Sequence, residues 1–478
     1  MEKRITVLGG GPAGLAMAMK LLQRQVPGWK VTVIEQKSQV GGMAASFEEQ
    51  GLFLDYGSHR LHPATSAEIM NDFRSLLGED LRRRPRNGRI RLMNHFVKFP
   101  LSPVNLMLHT PPSFFAGILA DMLTKPFRKS AQGEETFADV LLRGLGPTVC
   151  NHFYFPYAQK LWGLKPEDIS VIQAQRRVSA NSVGKIIKKV FSFLPGLKKK
   201  DTGVFYYPAQ GFGQLSNALR DKIVELGGEI RLNSTITGIS AVDGGGYRIN
   251  VRGDHESGQQ EAWLESDFIF STIPVTVLTR LLRPGAPETV VNAAKRLKFR
   301  SMVLHYLVLE TDQFTPYDAH YIPQAGIAIS RISEPKNYSN NAEPTGLTAI
   351  CSEIPCNIGD DTWNMPDEAL TSKVIDEFSR IGLPVNMPVQ KAFSRKQAFV
   401  YPIYDRNFDA AFAVLDAYLN DQPGLISLGR QGLFAHDNTH HTMETAYKAC
   451  ECLGDDLRWN GTLWQQYRDE FSRHVVED

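Results

Sequence analysis

An α/β fold is predicted by three observations along this 478-residue chain. The apolar stretch Ile5 to Leu8 runs straight into Gly9-x-Gly11-x-x-Gly14 and an Ala/Met/Leu-rich helical pattern. A β-branched stretch, Val31 to Ile34, then ends on Glu35, which completes a strand–helix–strand unit. Much later, Asp267 to Pro274 and Gly424 to Arg430 read as further buried strands, each ending at a turn. A Rossmann-like sheet assembled from distant pieces follows from these three, with a mixed-sheet second domain and a helical insertion accounting for the remainder.

The first unit is built to hold a dinucleotide. Gly9 permits a tight turn, Gly11 lets the backbone approach a pyrophosphate, and Gly14 allows the helix to pack closely on the strand. Pro12 and Ala13 open the helix, whose N-terminus faces the anion. Glu35 falls where a carboxylate hydrogen-bonds a ribose hydroxyl and disfavours a 2′-phosphate. Gly41-Gly42-Met43 and then Asp55-Tyr56-Gly57-Ser58-His59 continue the segment, and a glycine pair just past the ribose acid suits a backbone pressed against a larger cofactor. No second fingerprint appears, since Gly244-Gly245-Gly246 reads as a hairpin turn before Tyr247. On these residues the chain resembles the FAD-dependent amine oxidase and protoporphyrinogen oxidase superfamily. That resemblance implies FAD as cofactor, bound by the residues just named together with Ile236, Gly429, Thr442 and Met443. The helix that Thr442 helps to open would direct its N-terminal amides at the flavin.

The resulting organisation divides the chain at 1–70 (cofactor domain, first part), 71–202 (largely helical cap), 203–274 (cofactor domain, second part), 275–400 (mixed-sheet substrate domain) and 401–478 (cofactor domain, third part, with the last helix). Within the cap, Ile90 to Phe99 reads as a hairpin-like piece, followed by helices near 104–124 and 135–145. The apolar run Leu101 to Phe127 is broken by Pro103, His109, Pro111, Pro112 and Asp121, which argues against a spanning helix and leaves a surface-lying or pocket-lining pair.

Bulk properties narrow the function classes. A formal net charge of +2 excludes a nucleic-acid binder recognised by its overall charge. Five cysteines without a Cys-x-x-Cys give no support to a redox disulfide or structural zinc and suit a reducing cytoplasm. The first strand begins by residue 5, so a cytoplasmic location is expected.

Three constellations carry candidate chemistry. His59 and His62, three apart, have the spacing of helical metal ligands, but Gly57 and Pro63 favour a loop and no third ligand is evident, so no metal is expected. Placed against the flavin, His59 would supply a hydrogen bond or proton as a catalytic group, with His62 near the substrate. The run Asn151 to Gly163 (NHFYFPYAQKLWG) packs aromatics at core density, yet Lys160 and Trp162 offer a cation and a flat face suited to a phosphate and a base or sugar. This run is similar to the UDP-galactopyranose mutases, a resemblance that puts Trp162 beside a nucleotide base. The third constellation joins Tyr401-Pro402-Ile403-Tyr404 with Gly429-Arg430-Gln431-Gly432. Arg430 stands where many flavin oxidases carry an acid, which favours an anionic ligand and makes Arg430 a candidate catalytic and diphosphate contact. An arginine bonded to local carbonyls is the plainer alternative.

The expected activity is therefore FAD-dependent oxidation of a phosphorylated or nucleotide-linked sugar, with hydride passing to flavin N5. Lys160, Trp162, Tyr401, Tyr404 and Arg430 would position that substrate. The alternative is a mutase of the same fold, in which reduced flavin acts as a nucleophile without net redox. A basic stretch from Lys185 to Lys200, free of acids, is compatible with peripheral contact with an anionic membrane.

Overall fold

The computed structural model describes residues 2–99, 103–128, 133–177, 203–255 and 258–476. The basic stretch Lys185 to Lys200 lies outside the described residues. At the centre of the molecule is a five-stranded parallel sheet in the order Leu425–Ser427, Phe268–Ser271, Lys3–Leu8, Trp29–Ile34, Glu229–Arg231. Ile5 to Leu8 pair with Phe268 to Ser271 on one side and with Val31 to Ile34 on the other. Both neighbours bury the strand, so it reads as a continuous apolar run rather than an alternating one. The helix Pro12–Gln23 packs on this sheet through a face from Ala13 to Met19 that is wholly buried.

Two further sheets flank the first. Gly258–Ser266, Tyr247–His255 and Ser234–Ala241 form an antiparallel meander, extended by the short strand Leu282–Arg283. The turn at Gly244 to Gly246 has positive φ throughout, as the glycine run requires. The second is a seven-stranded mixed sheet ordered Val389–Pro402, Phe299–Leu309, Thr348–Cys356, Arg331–Ser333, Ala319–Tyr321, Gly88–Leu92, His95–Phe99.

Its last two strands revise the sequence-derived organisation. Gly88–Leu92 and His95–Phe99 form the expected hairpin, turning at Met93 and Asn94 in positive-φ conformations, but they extend the mixed sheet instead of the helical cap. Leu81–Pro85 is also a strand, paired with Val204–Pro208. Their arginine-rich, weakly alternating sequences hide this, because the pairing partners lie over a hundred residues away. The helical stretch near 104–124 is two helices, Pro103–His109 and Pro112–Thr124, separated where two prolines remove backbone donors.

A Cβ added to Gly14 would lie 1.9 Å from the Gly9 carbonyl oxygen, and that atom is backbone, so nothing flexible can yield. The Gly14→Ala variant is expected to lose about 1–3 kcal/mol of stability from this overpacking. Urea unfolding of the purified protein measures it, and a loss within error of zero would contradict the close helix–strand contact.

Candidate functional site

The nucleotide end of the site is formed by backbone. Gly9 adopts φ +100°, in the left-handed region that favours glycine. At Gly11 a Cβ would meet nothing within 4 Å, so this backbone borders open space. The helix starting at Pro12 has no side-chain cap, which leaves its first amides directed at that space. Glu35 is buried and accepts from the amides of Gly10 at 2.7 Å and Lys37 at 2.9 Å. Each carboxylate oxygen keeps a second lone pair for a ribose hydroxyl. Gly41, at φ +106°, donates its amide to the Gly10 carbonyl at 2.8 Å, and a Cβ on Gly42 would face Gly11 Cα at 3.5 Å. Gly429 closes the far side, its Cβ direction meeting Ala13 Cβ at 2.8 Å. Thr442 Oγ1 accepts from the Arg430 amide at 3.1 Å, and Met443 is fully buried behind it. Ile236 packs under the same sheet end, in the cluster with Leu8 and Ile34. These residues fit FAD: an open Gly11, uncapped helix amides and an acid at the end of the second strand.

The loop that follows is held by buried charge. Asp55 accepts from Ser46 Oγ at 2.5 Å, from the Phe212 amide at 2.9 Å and from the Tyr207 hydroxyl. Its carbonyl accepts from Tyr306 Oη at 2.6 Å. Burial pushes the Asp55 carboxyl above its ordinary range, with His59 and the three donors opposing. Gly57, at φ +91°, and Ser58 come next; the Ser58 amide donates to Glu353 at 2.7 Å, and its hydroxyl lies 2.5 Å from Tyr338 Oη.

His59 stacks on Phe212 at 5.3 Å, and its Nε2 faces the carbonyls of Met43 and Tyr56 at 2.8 and 3.1 Å. Two carbonyl partners require Nε2 to carry the proton, and burial lowers the ring's pKa. His59 is therefore a neutral ring that offers Nδ1 as an acceptor and anchors the Met43 backbone. His62 accepts the Ala64 amide at 3.0 Å and stacks with His440 at 5.9 Å.

Two arginines invisible to sequence reasoning lie beside this loop. Arg331 forms a two-pronged pair with Glu353, both contacts at 2.9 Å, and reaches the Ser58 carbonyl at 3.3 Å. Burial, the largest single influence, opposes its charge, but Glu353, Tyr401, Tyr321 and Tyr157 together outweigh it, and the pKa is raised well above the ordinary value. Arg60 bonds Asp318, Tyr321 and Tyr338, each at 3.2 Å. Nothing near either residue in the sequence announces it, because Glu353 reaches Arg331 from the neighbouring strand of the mixed sheet and the partners of Arg60 lie more than 250 residues away.

Four of the expected substrate contacts are otherwise engaged. Arg430 donates to the carbonyls of Asp437 at 2.6 Å and Val400 at 2.8 Å, and its guanidinium lies 5.5 Å from the Tyr401 ring. It thus braces two backbone segments, as in the plainer of the two roles expected for it. Tyr404 is buried, donates to the Phe434 carbonyl at 2.7 Å and stacks on Phe408 at 3.8 Å. Trp162 is 6% exposed and packs edge-on against Phe137 and His436. Lys160 donates to the carbonyls of Ile322 (2.5 Å), Gln324 (3.0 Å) and Ile329 (3.0 Å), while Glu377 holds the amides of Ala328 and Ile329. Tyr401 remains half-buried, stacked with His436 at 6.1 Å.

One cluster among the described residues has metal-type donors: Asp437, His441 and His474 present ligand atoms within 4.8 Å of one another. Arg176 lies 3.9 Å from the same Asp437 oxygen, and the group sits at a helix N-terminus, where a cation is disfavoured. The cluster is better suited to fastening the C-terminal segment, whose Val476 amide bonds the Arg176 carbonyl at 2.8 Å.

A parallel sheet with an open glycine turn and a ribose acid, roofed by a mixed sheet, defines a dinucleotide-binding flavoprotein. The pattern of the family described as flavin containing amine oxidoreductase matches residues 12–451, and the chain belongs to that family. Its cofactor is FAD. Protoporphyrinogen oxidase 2 of Arabidopsis thaliana is 22% identical over 89% of this chain and 89% of its own. Arabidopsis protoporphyrinogen oxidase 1 is 25% identical over 61% of this chain, and the match spans 56% of that relative's length. Among solved structures, reduced UDP-galactopyranose mutase superposes with a TM-score of 0.80 at 18% identity, covering 99% of this chain and 100% of the other. Cyclohexylamine oxidase from Brevibacterium oxydans gives 0.63 at 14% identity, covering 98% and 100%. At these identities the superpositions show the fold.

Burial lowers the Lys160 pKa to about 7 from 10.5. Between those values the unfolded chain binds the extra proton, so stability rises with pH across that window, and below about 7 the full cost of burying the charge is present. Wild-type protein is expected to gain stability relative to Lys160→Met as pH increases from 7 to 10, measured by urea unfolding at a series of pH values. A difference that is flat with pH would remove the buried-lysine account.

Proposed function

We propose that the chain is an FAD-dependent oxidoreductase acting on a sugar-containing substrate that carries a phosphate or nucleotide. The observation that carries this reading is Arg331. It is a cation kept charged in a largely desolvated position, beside the Ser58–His59 loop and close to the hydroxyls of Tyr157, Tyr321 and Tyr401. A charge-assisted contact there would fix an anionic substrate by one end, and the phenols would donate to sugar hydroxyls. FAD, when bound, supplies the hydride acceptor. The protein's part is to orient the substrate carbon, exclude water, and offer His59 Nδ1 as a hydrogen-bond acceptor at the rim. Glu353 acts as a positioning residue, holding Arg331 and the Ser58 amide in one geometry.

A second reading, a sugar mutase without net redox, is favoured by the superposition on UDP-galactopyranose mutase over the full length of both chains. Anaerobic mixing with UDP-sugars separates the two. Bleaching of the oxidised flavin supports the oxidoreductase, whereas turnover that appears only after dithionite reduction supports the mutase. Absence of both responses would refute an anionic sugar substrate.

With an active substrate in hand, Arg331→Gln is expected to raise KM by roughly 10- to 100-fold, the value of one charge-assisted hydrogen bond. Steady-state kinetics check this alongside the bound-flavin absorbance, since retained flavin excludes simple unfolding. An unchanged KM in a flavin-loaded variant would remove Arg331 from the substrate site.

A further inference from the structure

Among the described residues, large apolar side chains exposed to solvent gather in one short segment. Val104, Met107 and Leu108 project from Pro103–His109, and Leu119, Leu123 and Phe127 from Pro112–Thr124 and the turn after it. Their exposures run from 41% to 82%, the highest at Phe127. Six such side chains on two successive helices exceed the single scattered apolar residues that are ordinary on a soluble surface.

The spacing shows that this is a face and not scatter. On the second helix and the turn after it the outward positions Ala116, Leu119, Leu123 and Phe127 recur every three or four residues, so the stripe that ordinarily meets water is apolar. The opposite stripe, Phe114, Ile118 and Asp121, is buried. Apart from the paired Asp121, the helix is thus apolar on both sides, and its own fold covers only one.

Charge narrows the occupant. Between 104 and 128 the one carboxylate is Asp121, which is turned inward, paired with Arg128 at 3.3 Å, and accepts the Thr148 amide at 2.8 Å. The outer face therefore carries no negative charge, while Lys98 and His109 are exposed nearby and Lys125 is half-exposed. A helix of 13 residues is about 20 Å long and cannot cross a bilayer, and no described helix is long and apolar enough to do so. An acid-free apolar ridge with flanking cations and an aromatic at its tip has the chemistry of a helix lying in a lipid–water interface.

We propose that the face formed by Pro103–His109, Pro112–Thr124 and Phe127 docks on an anionic lipid surface. Apolar side chains enter the acyl boundary and the cations meet headgroups. This surface does not depend on the identity of the substrate.

Co-sedimentation of the flavin-loaded full chain with vesicles, with and without anionic lipid, tests the proposal, using wild type and a Leu119→Glu/Leu123→Glu/Phe127→Glu variant. Wild type is expected to bind, more tightly to anionic vesicles, and the variant to lose about tenfold or more in partitioning while keeping its flavin spectrum. Wild type that stays in the supernatant with both vesicles overturns the proposal. So does a spectrally intact variant that binds as well as wild type. Light scattering that shows a wild-type dimer converted to monomer in the variant also overturns it, since a second copy would then be the occupant.

Discussion

The site depends first on one buried carboxylate. Asp55 draws together Ser46, Phe212 and Tyr207 through its side chain, and Tyr306 through its carbonyl. These residues come from the small hairpin Ser46–Glu49/Leu52–Asp55 after the first strand–helix–strand unit, from the chain's return at 205–213 and from the mixed sheet. A hydrogen bond to a charged group contributes about 1.5–3 kcal/mol and leaves a severe penalty if one partner is removed. The glycines nearby follow from this convergence: a Cβ on Gly213 would lie 2.3 Å from the Ser46 amide nitrogen, and one on Gly211 would lie 2.7 Å from Ser46 Oγ. The pinned turn carries Gly57, Ser58 and His59 into position. There the Ser58 amide meets Glu353 of the mixed sheet, a second tie between the cofactor half and the substrate half.

Charge inside the substrate half follows the same logic of distant pairing. Arg331 with Glu353 and Arg60 with Asp318 are nearly enclosed pairs whose partners belong to different segments. Such pairs bring little net stability, because desolvation offsets the attraction. What they provide is geometry, since each guanidinium is a planar fork with few ways to satisfy all its donors. Tyr321 and Tyr338 accept from the Arg60 guanidinium, and the Tyr321 ring lies 5.9 Å from the Arg331 guanidinium.

The parts of the fold written in short-range pattern were legible in the sequence. Gly9, Gly11, Gly14 and Glu35 occupy the turn, open approach, tight packing and strand-end positions that their spacing implies, because all four act within one strand–helix–strand unit. The hairpin around Met93 and Asn94 was visible for the same reason, but its attachment to the mixed sheet was not. At Arg430, Tyr404, Lys160 and Trp162 residue type did not disclose the protein groups that hold each side chain. Each has the chemistry of a substrate contact, yet a cation or ring is satisfied by whatever lies nearest, and here that is carbonyl oxygen or core. Arg331 and Glu353 gave no sign, since an isolated arginine and glutamate in strands look like surface charge until the sheet order is known.

The cofactor sheet takes strands from residues 3–8, 29–34, 229–231, 268–271 and 425–427, and Gly429 closes against Ala13. Ribosomal synthesis therefore delivers the first glycine turn hundreds of residues before the last strand that completes its binding site. High contact order of this kind slows folding, because long loops must close before their contacts repay the lost entropy. FAD, bound by the assembled sheet and not by the unfolded chain, stabilises the product by mass action. Flavin supply during expression accordingly governs the yield of folded chain as well as its colour, and the nascent N-terminal half needs protection from aggregation until the C-terminus arrives.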